Sequence, residues 1–324
     1  MIELKSIYMQ NNKQFDKIEN ISFIKELTLG FSKKNKKIPS RFHYDLNGSK
    51  YFEKITKLKE YYIARTEKQI LKQLSQEIKN IFDNNLTFIE FGSGSADKIS
   101  ILINDKVKFY IPLDISYDFL VKSSIKLAKC FPNLLVIPTY CDYVKKFILP
   151  KKISKNKIGF FLGSSIGNFY DKKEKKFLQN ARKTLGKNSF LFVGVDLIKN
   201  IRIIEKAYND SKGISAKFNL NLINRINKVL KTNLKQKDFK YFSYFNEKNN
   251  SIECFLISKK DQKLFFCNKE FFIKKNEKIQ TEISKKFTFN TFTVLAKSAG
   301  WKVKNIGLIK KNTIRFFYCK LNFV

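Results

Sequence analysis

Histidine and cysteine are scarce in this chain, which removes the commonest ligand sets for metal ions. The 324 residues include one histidine, His43, and five cysteines. No two cysteines have the CxxC spacing of structural zinc sites or of thioredoxin-like redox motifs. We therefore expect no metal ion, no disulfide framework, and free thiols in a reducing compartment.

Long apolar runs are also missing. The longest, residues 189–198, contains Gly194 and Asp196 and falls well short of the roughly 20 residues that cross a bilayer as a helix. The first residues, MIELKSIYMQNNKQF, lack the apolar segment of a signal peptide. These features predict a cytoplasmic protein with no membrane partner.

Acidic residues are few relative to basic ones. Lysine and arginine number 64 and aspartate and glutamate 28, which gives a net charge of +36. Such a charge is typical of proteins that bind nucleic acids. However, the lysines are spread along the whole chain, and arginine, the better reader of phosphates and bases, is scarce. We favour compositional drift over a nucleic-acid partner, and we expect a monomer.

Strand and helix patterns alternate from residue 66 to residue 197 and predict a parallel, doubly wound sheet. A helix is predicted from Thr66 to Phe82. The predicted strands are FIEF, KFYIPLDIS, LLVIPTYCDY, KIGFFLGSSIGNF and SFLFVGVDL, and the helices between them are KISILIND, residues 118–130 and residues 172–185. Gly186 is the expected end of the last helix.

The alternation stops after Lys199. Residues 200–240 have a helical pattern, and residues 241–280 have the pattern of antiparallel hairpins. A helix from Phe287 and two final strands, WKVKNIGLIKK and TIRFFYCKLNF, complete the prediction. Before residue 66, ENISFIKELTLGFS and SKYFEKITKL are predicted helices.

Glycines and acidic residues follow three successive predicted strands. Gly92 and Gly94 form a turn after the first strand, Asp114 ends the second, and Asp142 with Tyr143 ends the third. Each residue alone is compatible with a tight turn or a helix cap. Together they lie where doubly wound sheets bind ligands, with carboxylates for ribose hydroxyls and an adenine amino group. Because no phosphate-binding lysine motif is present, S-adenosylmethionine fits best.

Longer strings of residues resemble one family, the histidine-specific Nα-methyltransferases of ergothioneine biosynthesis. The similarity runs from about Arg41 to the C-terminus. It is carried by the segments YDLNGSKYFEKITKLKEYYIART, FIEFGSGSADK, PLDIS, FLGSSIGNF, GVDLIKN, AYNDSKGISAKFN and QTEISKKF. The resemblance implies three successive methylations of L-histidine by a Rossmann-like class I methyltransferase sheet with a second, discontinuous α+β substrate-binding domain.

The resemblance also implies a role for individual residues. The implied cofactor-binding residues are Gly92, Gly94, Lys98, Asp114, Asp142 and Tyr143. The implied substrate-binding residues are Asn168 and Tyr208 for the carboxylate, Glu282 and Ser284 for the imidazole, and Ser215 and Cys254 nearby. Tyr61 and Gly163 are implied to lie beside the reacting amine. The chain departs from the family pattern at Ile63 (for proline), Ser215 (for threonine), Cys254 (for methionine) and Ala96 (for a frequent glycine).

The same resemblance predicts the domain boundaries. Residues 1–65 and 197–285 are expected to bind histidine, and residues 66–196 and 286–324 to bind S-adenosylmethionine. Methyl transfer from a sulfonium needs positioning more than acid–base groups, so the lack of a histidine or cysteine cluster is compatible with it. We expect Trp301 and His43 to pack in the interior.

Three other functions stay open. The net charge favours an RNA or protein methyltransferase, although the string after the fourth strand, GSSIGNF, lacks the N/D-P-P-Y/F pattern of many base-amino methylases. A non-catalytic S-adenosylmethionine-binding protein would keep the cofactor residues and lose the acceptor residues. A relative acting on another amino acid, such as tryptophan, is opposed by Glu282 and Ser284, because an indole offers one N–H donor.

Overall fold

A computed structural model describes residues 12–82, 84–145, 148–150, 153–170, 173–304 and 314–320. Contacts between Cα atoms divide these residues into two units. The first unit contains the described residues of Ile63–Lys199 and Lys286–Val324, and the second those of Gln10–Tyr62 and Asn200–Lys285. Residues 1–11 and parts of the two predicted final strands lie outside the described residues. The ligand assigned to each domain stays a prediction.

The helices have the following bounds in chain order: α1 Asn12–Phe31, α2 Leu46–Thr56, α3 Tyr62–Ile81, α4 Tyr117–Cys130, α5 Lys173–Leu185, α6 Ile201–Tyr208, α7 Ile214–Leu230 and α8 Phe289–Ser298. The strands are β1 Leu86–Phe91, β2 Val107–Asp114, β3 Leu135–Val136, β4 Thr139–Tyr140, β5 Asn156–Phe161, β6 Phe190–Asp196, β7 Phe239–Asn246, β8 Ser251–Ser258, β9 Gln262–Phe266, β10 Lys269–Ile273, β11 Lys278–Lys285, β12 Lys302–Lys304 and β13 Ile314–Lys320.

The first unit contains one sheet with the strand order β12-β13-β6-β5-β1-β2-β3, and β4 also pairs with β2. The strands from β1 to β6 pair in parallel, and β13 runs antiparallel to β6. The predicted doubly wound, Rossmann-like sheet is therefore confirmed. Because β1, β2, β4, β5 and β6 are parallel, the loops that follow them leave the sheet at the same edge, which we call the carboxyl edge.

Apolar side chains cover both faces of this sheet. One cluster joins Leu71, Leu74 and Ile78 of α3 to the sheet, and the other joins α5 and α8 to the opposite face. Trp301 is 2% exposed, and its indole nitrogen donates a 2.9 Å hydrogen bond to the carbonyl of Leu178. The prediction that Trp301 belongs to the core is confirmed.

The predicted helix KISILIND is wrong. The segment forms a single 3-10 turn, Ile99–Ile101. The side chain of Asn104 donates to the carbonyl of Leu102 at 3.2 Å and accepts from the N–H of Lys106 at 3.0 Å. These local bonds close a turn where a helix would need its next backbone bonds.

Two further predicted elements are interrupted. The predicted third strand is split into β3 and β4, because Pro138 between them has no N–H to give to a neighbouring strand. The predicted helix over residues 200–240 is α6 and α7, separated by residues 209–213. Asp210 accepts the N–H groups of Ile214 and Ser215 at 2.8 and 2.7 Å, so α7 begins anew there.

The second unit combines helices with antiparallel sheets. Its larger sheet has the order β11-β8-β7, and β9 and β10 form a separate hairpin. Apolar side chains of α1, α7 and these strands share one core, which includes Phe23, Leu27, Leu222, Ile226 and Leu256. The hairpins predicted over residues 241–280 are confirmed, and β11 adds a third strand to the larger sheet.

A bulge in β11 sets the direction of its side chains. Gln280 pairs with Phe255, whereas Glu282 pairs with Cys254, so two residues of β11 are matched by one step of β8. The extra residue is Thr281. Because a bulge shifts the alternation of side chains, Gln280 lies on the face of Phe255 and Glu282 on the opposite face, with Cys254. Among the described residues, no helix is both long enough and apolar enough to cross a membrane.

Candidate active site

The turn after β1 is bound to the end of β2 through Asp114. One carboxylate oxygen of Asp114 accepts the N–H of Gly94 at 3.1 Å, and the other accepts the N–H of Ser116 at 2.9 Å. Gly92 and Gly94 have φ values of +74° and +53°, which residues other than glycine rarely adopt. The structure thus brings together Gly92, Gly94 and Asp114 at the carboxyl edge.

Asp142 and Tyr143 follow β4 and approach the same turn. Asp142 accepts the N–H of Val144 at 3.2 Å. A Cβ atom added to Gly92 would lie 3.2 Å from the hydroxyl oxygen of Tyr143, so the aromatic ring lies directly against this glycine. The ring also contacts Phe161, with 5.7 Å between the centroids. An acid and an aromatic face at this position can bind the amino group and the ring of an adenine.

Lys98 belongs to the loop that follows β1, and its side chain lies against the loop that follows β5. Its ammonium is 2.5 Å from a carboxylate oxygen of Glu67 on α3. The other oxygen of Glu67 accepts the N–H of Gly163, after β5, at 2.6 Å. A Cβ atom on Gly163, where φ is +79°, would lie 3.1 Å from the nitrogen of Lys98. Gly163 and Lys98 are therefore neighbours, which their separation in the sequence does not indicate.

The loop after β5 continues through a 3-10 turn, Ser165–Asn168, which ends at Asn168. Ser164 has a φ of +55°, in the left-handed region that a serine adopts only at a cost of about 1–2 kcal/mol. The hydroxyls of Ser93 and Ser164 are buried without a hydrogen-bond partner in the described part of the chain. Buried hydroxyls normally have partners, so two of them at one edge suit a polar ligand. The donors, acceptors and aromatic ring present here fit S-adenosylmethionine.

A buried carboxyl group lies on β1, just before the glycine turn that starts at Gly92. Glu90 is 2% exposed and accepts the hydroxyl of Tyr110 at 2.5 Å. Burial raises the pKa of Glu90 to about 8, although the hydrogen bond from Tyr110 and the charge of Lys98 lower it. Glu90 therefore holds its proton at neutral pH.

Several of the substrate-binding residues predicted from the sequence lie together in the second unit. The hydroxyl of Tyr208, at the end of α6, donates to the hydroxyl of Ser284 on β11 at 2.8 Å. The ring of Tyr61 lies 6.3 Å from that of Tyr208, edge to face. All three side chains are buried. The segments around Tyr61, Tyr208 and Ser284 are far apart in the sequence, and the fold of this unit brings them together.

Cys254 and Glu282 pair directly across β8 and β11, on the same face as Ser284. Tyr241 of β7 connects this pair to Tyr208, because its hydroxyl is 2.9 Å from the carbonyl of Tyr208 and 3.3 Å from the sulfur of Cys254. Burial and the nearby Cys254 raise the pKa of Tyr241 well above its usual value. Tyr241 therefore stays a neutral hydroxyl. A role for Tyr241 was not predicted from the sequence. The only signal was its spacing of two residues from Ser243, which places both side chains on one face of the strand.

A second set of hydrogen bonds connects Ser215 to the same sheet. Asn219, one turn along α7, donates to the carbonyl of Ser215 at 3.1 Å and accepts the hydroxyl of Thr281 at 2.6 Å. Thr281 is the bulge residue that precedes Glu282. This network holds α7 and the bulge of β11 in a fixed relation.

His43 joins this network through the side chain of Asn219. Its ring nitrogens lie 2.9 Å from the carbonyl of Ser40 and 3.1 Å from the side-chain oxygen of Asn219, and the ring stacks on Phe218 at 4.6 Å. Burial lowers the pKa of His43 to about 4, so the ring is neutral at physiological pH. The prediction that His43 packs in the interior is confirmed.

Glu67 is the second residue that sequence reasoning missed. It follows the segment YYIART and lies three and four residues before Ile70 and Leu71, on the apolar face of α3. A carboxylate on an apolar helix face is a detectable signal, because it needs a partner when buried. Within the described ranges, no group of three or more histidine, cysteine, aspartate or glutamate residues is arranged to hold a metal ion.

Comparisons with known proteins show which proteins this chain resembles. A family model described as "Histidine-specific methyltransferase, SAM-dependent" matches residues 23–321. The histidine N-alpha-methyltransferase of Mycolicibacterium smegmatis is 28% identical over 270 residues, which are 81% of this chain and 84% of that protein. Ergothioneine biosynthesis protein 1 of Neurospora crassa is 32% identical over 217 residues, which are 63% of this chain and 24% of that protein. A solved S-adenosylmethionine-dependent methyltransferase from Clostridium acetobutylicum aligns with a TM-score of 0.48 and 11% identity over 81% of this chain and 96% of that chain.

Proposed function

The chain belongs to the histidine-specific, S-adenosylmethionine-dependent methyltransferases, and on that premise we propose that it methylates the α-amino nitrogen of free L-histidine. The proposed product is Nα,Nα,Nα-trimethylhistidine (hercynine), formed by three successive transfers. Relatives named for histidine methylation and for ergothioneine biosynthesis support this acceptor, and we propose that the reaction is the first step of that pathway.

The observation that carries the proposal is the pairing of a carboxylate with a hydroxyl on one buried face of the second unit. Glu282 and Ser284 lie on the same face of β11 and are 9% and 3% exposed. A neutral imidazole has one N–H donor and one nitrogen acceptor. Glu282 can accept the N–H, and Ser284 can donate to the other nitrogen while its own oxygen accepts from Tyr208. This pair matches an imidazole better than an apolar side chain.

S-adenosylmethionine supplies a methyl group that its sulfonium already activates. The residues of the chain have to hold a neutral amine in line with that group, and positioning of this kind can supply about 7–11 kcal/mol of a barrier. Tyr61 and Gly163 are proposed to contact the amine, and Asn168 and Tyr208 the carboxylate. Gly92, Gly94, Lys98, Asp114, Asp142 and Tyr143 are proposed to bind the donor, and Ser215 and Cys254 to line the acceptor's side chain.

A change at Glu282 tests the acceptor. We expect Glu282→Ala to lower kcat/KM for histidine at least about a hundredfold, because the imidazole N–H would lose its acceptor. A site built to hydrogen-bond a substrate group discriminates strongly when that bond is missing. Donor affinity, measured by calorimetry, should stay within about twofold. Glu253→Gln is the matched control, since Glu253 lies on the opposite face of the same sheet, where Gln280 donates to it at 3.1 Å. An equal loss on every amino acid tested would remove Glu282 from the imidazole site.

A further inference from the structure

Glu67 has an environment that needs an explanation. The side chain is fully buried, at 0% exposure, and it lies on the face of α3 that carries the core residues Ile70, Leu71 and Leu74. Burying a carboxylate costs several kcal/mol unless the charge is paired and hydrogen-bonded. A methylene or a methyl group at this position would fill the space without that cost.

Both oxygens of Glu67 are directed at loops of the carboxyl edge. One accepts the backbone N–H of Gly163 at 2.6 Å, and the other lies 2.5 Å from the ammonium of Lys98. Gly163 belongs to the loop after β5, and Lys98 belongs to the loop after β1. The carboxylate therefore connects the loop after β1 to the loop after β5.

Lys98 and Gly163, the two partners of Glu67, also lie against each other. With φ at +79°, Gly163 adopts a left-handed conformation, and a Cβ atom there would lie 3.1 Å from the nitrogen of Lys98. Glycine thus leaves the space that the ammonium occupies. The side chain of Lys98 is 22% exposed, whereas that of Glu67 is fully buried, so the lysine reaches from the carboxylate toward the surface of the loop.

We propose that Glu67 is a positioning residue for methyl transfer, which orients the Lys98 ammonium toward the donor and fixes the turn at Gly163. The proposal rests on the proposed placement of Lys98 at the donor. The only anionic group of S-adenosylmethionine is its carboxylate, and an ammonium held in an ion pair with Glu67 still has N–H donors for that group. A lysine side chain that is not anchored loses rotamer freedom when it binds, and Glu67 removes that cost in advance.

The test is a double-mutant cycle on donor binding, measured by calorimetry with S-adenosylmethionine and no acceptor. Glu67→Gln keeps an acceptor for the Gly163 N–H and removes the charge, and we expect the donor Kd to rise about tenfold. Lys98→Met should weaken donor binding by at least as much. In the Lys98→Met background, Glu67→Gln should change the donor Kd less than about twofold, because Glu67 acts through Lys98.

Thermal unfolding separates positioning from folding. Lys98→Met leaves the Glu67 carboxylate buried without its cation and should lower the Tm, and adding Glu67→Gln should restore part of that loss. Glu77→Gln, a partly exposed glutamate on the same helix, is the control and should change neither Kd nor Tm.

Turnover gives a second readout. At saturating donor, Glu67→Gln should keep kcat within about threefold of the wild type, whereas Glu67→Ala should also lower kcat about tenfold or more, because the Gly163 N–H loses its acceptor. A donor Kd unchanged by Glu67→Gln, or a tenfold rise that persists in the Lys98→Met background, would overturn the proposal. Since the calorimetric cycle needs no acceptor, a failure to methylate histidine would count against the proposed function and leave this result intact.

Discussion

The hydrogen bond between Tyr208 and Ser284 allows a quantitative test of the acceptor site. The two hydroxyl oxygens are 2.8 Å apart, and both side chains are buried, at 8% and 3% exposure. In the proposed site Tyr208 contacts the carboxylate of histidine and Ser284 its imidazole, so removing either hydroxyl takes a hydrogen bond away from the acceptor and also breaks the bond between the two hydroxyls. The loss of such a bond to the bound acceptor costs about 1–3 kcal/mol. We therefore expect Tyr208→Phe and Ser284→Ala each to lower kcat/KM for histidine by roughly five- to 150-fold.

The double variant should lose less than the product of the two single losses. Once one hydroxyl is gone, the bond between the two is already lost, so a coupling energy of about 1 kcal/mol is expected. This holds whichever way the proton between them points, because a hydroxyl can donate one bond and accept two. The assay is initial-rate transfer of a labelled methyl group to histidine at saturating donor, together with thermal unfolding of each variant.

A matched variant and a clear contrary result complete this test. Tyr244 lies on β7 and stacks on Phe255 at 6.0 Å, on the opposite face of the sheet, so Tyr244→Phe should leave kcat/KM unchanged. If the losses from Tyr208→Phe and Ser284→Ala multiply without coupling, the two hydroxyls do not act together on the acceptor. The 2.8 Å hydrogen bond would then play no part in holding the acceptor.

Three further predictions concern other parts of the site. Asp114→Ala should weaken donor binding about ten- to a hundredfold by calorimetry, and it should lower the Tm because Gly94 and Ser116 lose their acceptor; an unchanged Kd would remove Asp114 from the site. Gly92→Ala should weaken donor binding about tenfold, since its φ of +74° adds about 1–2 kcal/mol of strain and the new methyl group presses on Tyr143; full donor affinity would contradict this. Burial lowers the pKa of His43 from 6.5 to about 4. Between these two pH values the unfolded chain binds a proton at His43 and the folded protein does not, so the free energy of unfolding should fall as the pH is lowered, by roughly 3 kcal/mol in total. His43→Gln should flatten that part of the curve of unfolding free energy against pH, and an unchanged slope would show that His43 is not responsible.

The residues at the carboxyl edge were predictable because local sequence and topology act together there. A glycine turn, Asp114 and Asp142 each end a strand of alternating βα pattern, and parallel strands bring their ends to one edge. The pattern needs no knowledge of side-chain packing. The same reasoning failed for KISILIND, where the bonds of Asn104 outweigh an apolar periodicity that reads as helical.

The geometry of the second unit was not predictable from the same patterns. The position of Glu282 beside Cys254 depends on the bulge at Thr281, and a bulge shifts the face of every following side chain without a signal in the alternation. The contact between Tyr208 and Ser284 joins elements 76 residues apart. Such pairings come from tertiary packing, and the long strings shared with one family were the only sequence feature that connected them.

Glu67 is a third case, in which the sequence contains a signal of a buried carboxylate but does not identify its partners. A glutamate on the apolar stripe of α3 indicates a buried partner, but the sequence does not say which one. The partners are a lysine and a backbone N–H from two separate loops. Only the folded arrangement identifies the carboxylate as a connection between the loop after β1 and the turn at Gly163.

The most direct test of the central claim is product analysis after incubation of the purified protein with S-adenosylmethionine and equal concentrations of free amino acids and RNA. Mass spectrometry should show histidine gaining up to three methyl groups on its α-amino nitrogen, with the trimethylated form accumulating and the other amino acids unchanged. Methylation of RNA or of another amino acid, with histidine unmodified, would contradict the account.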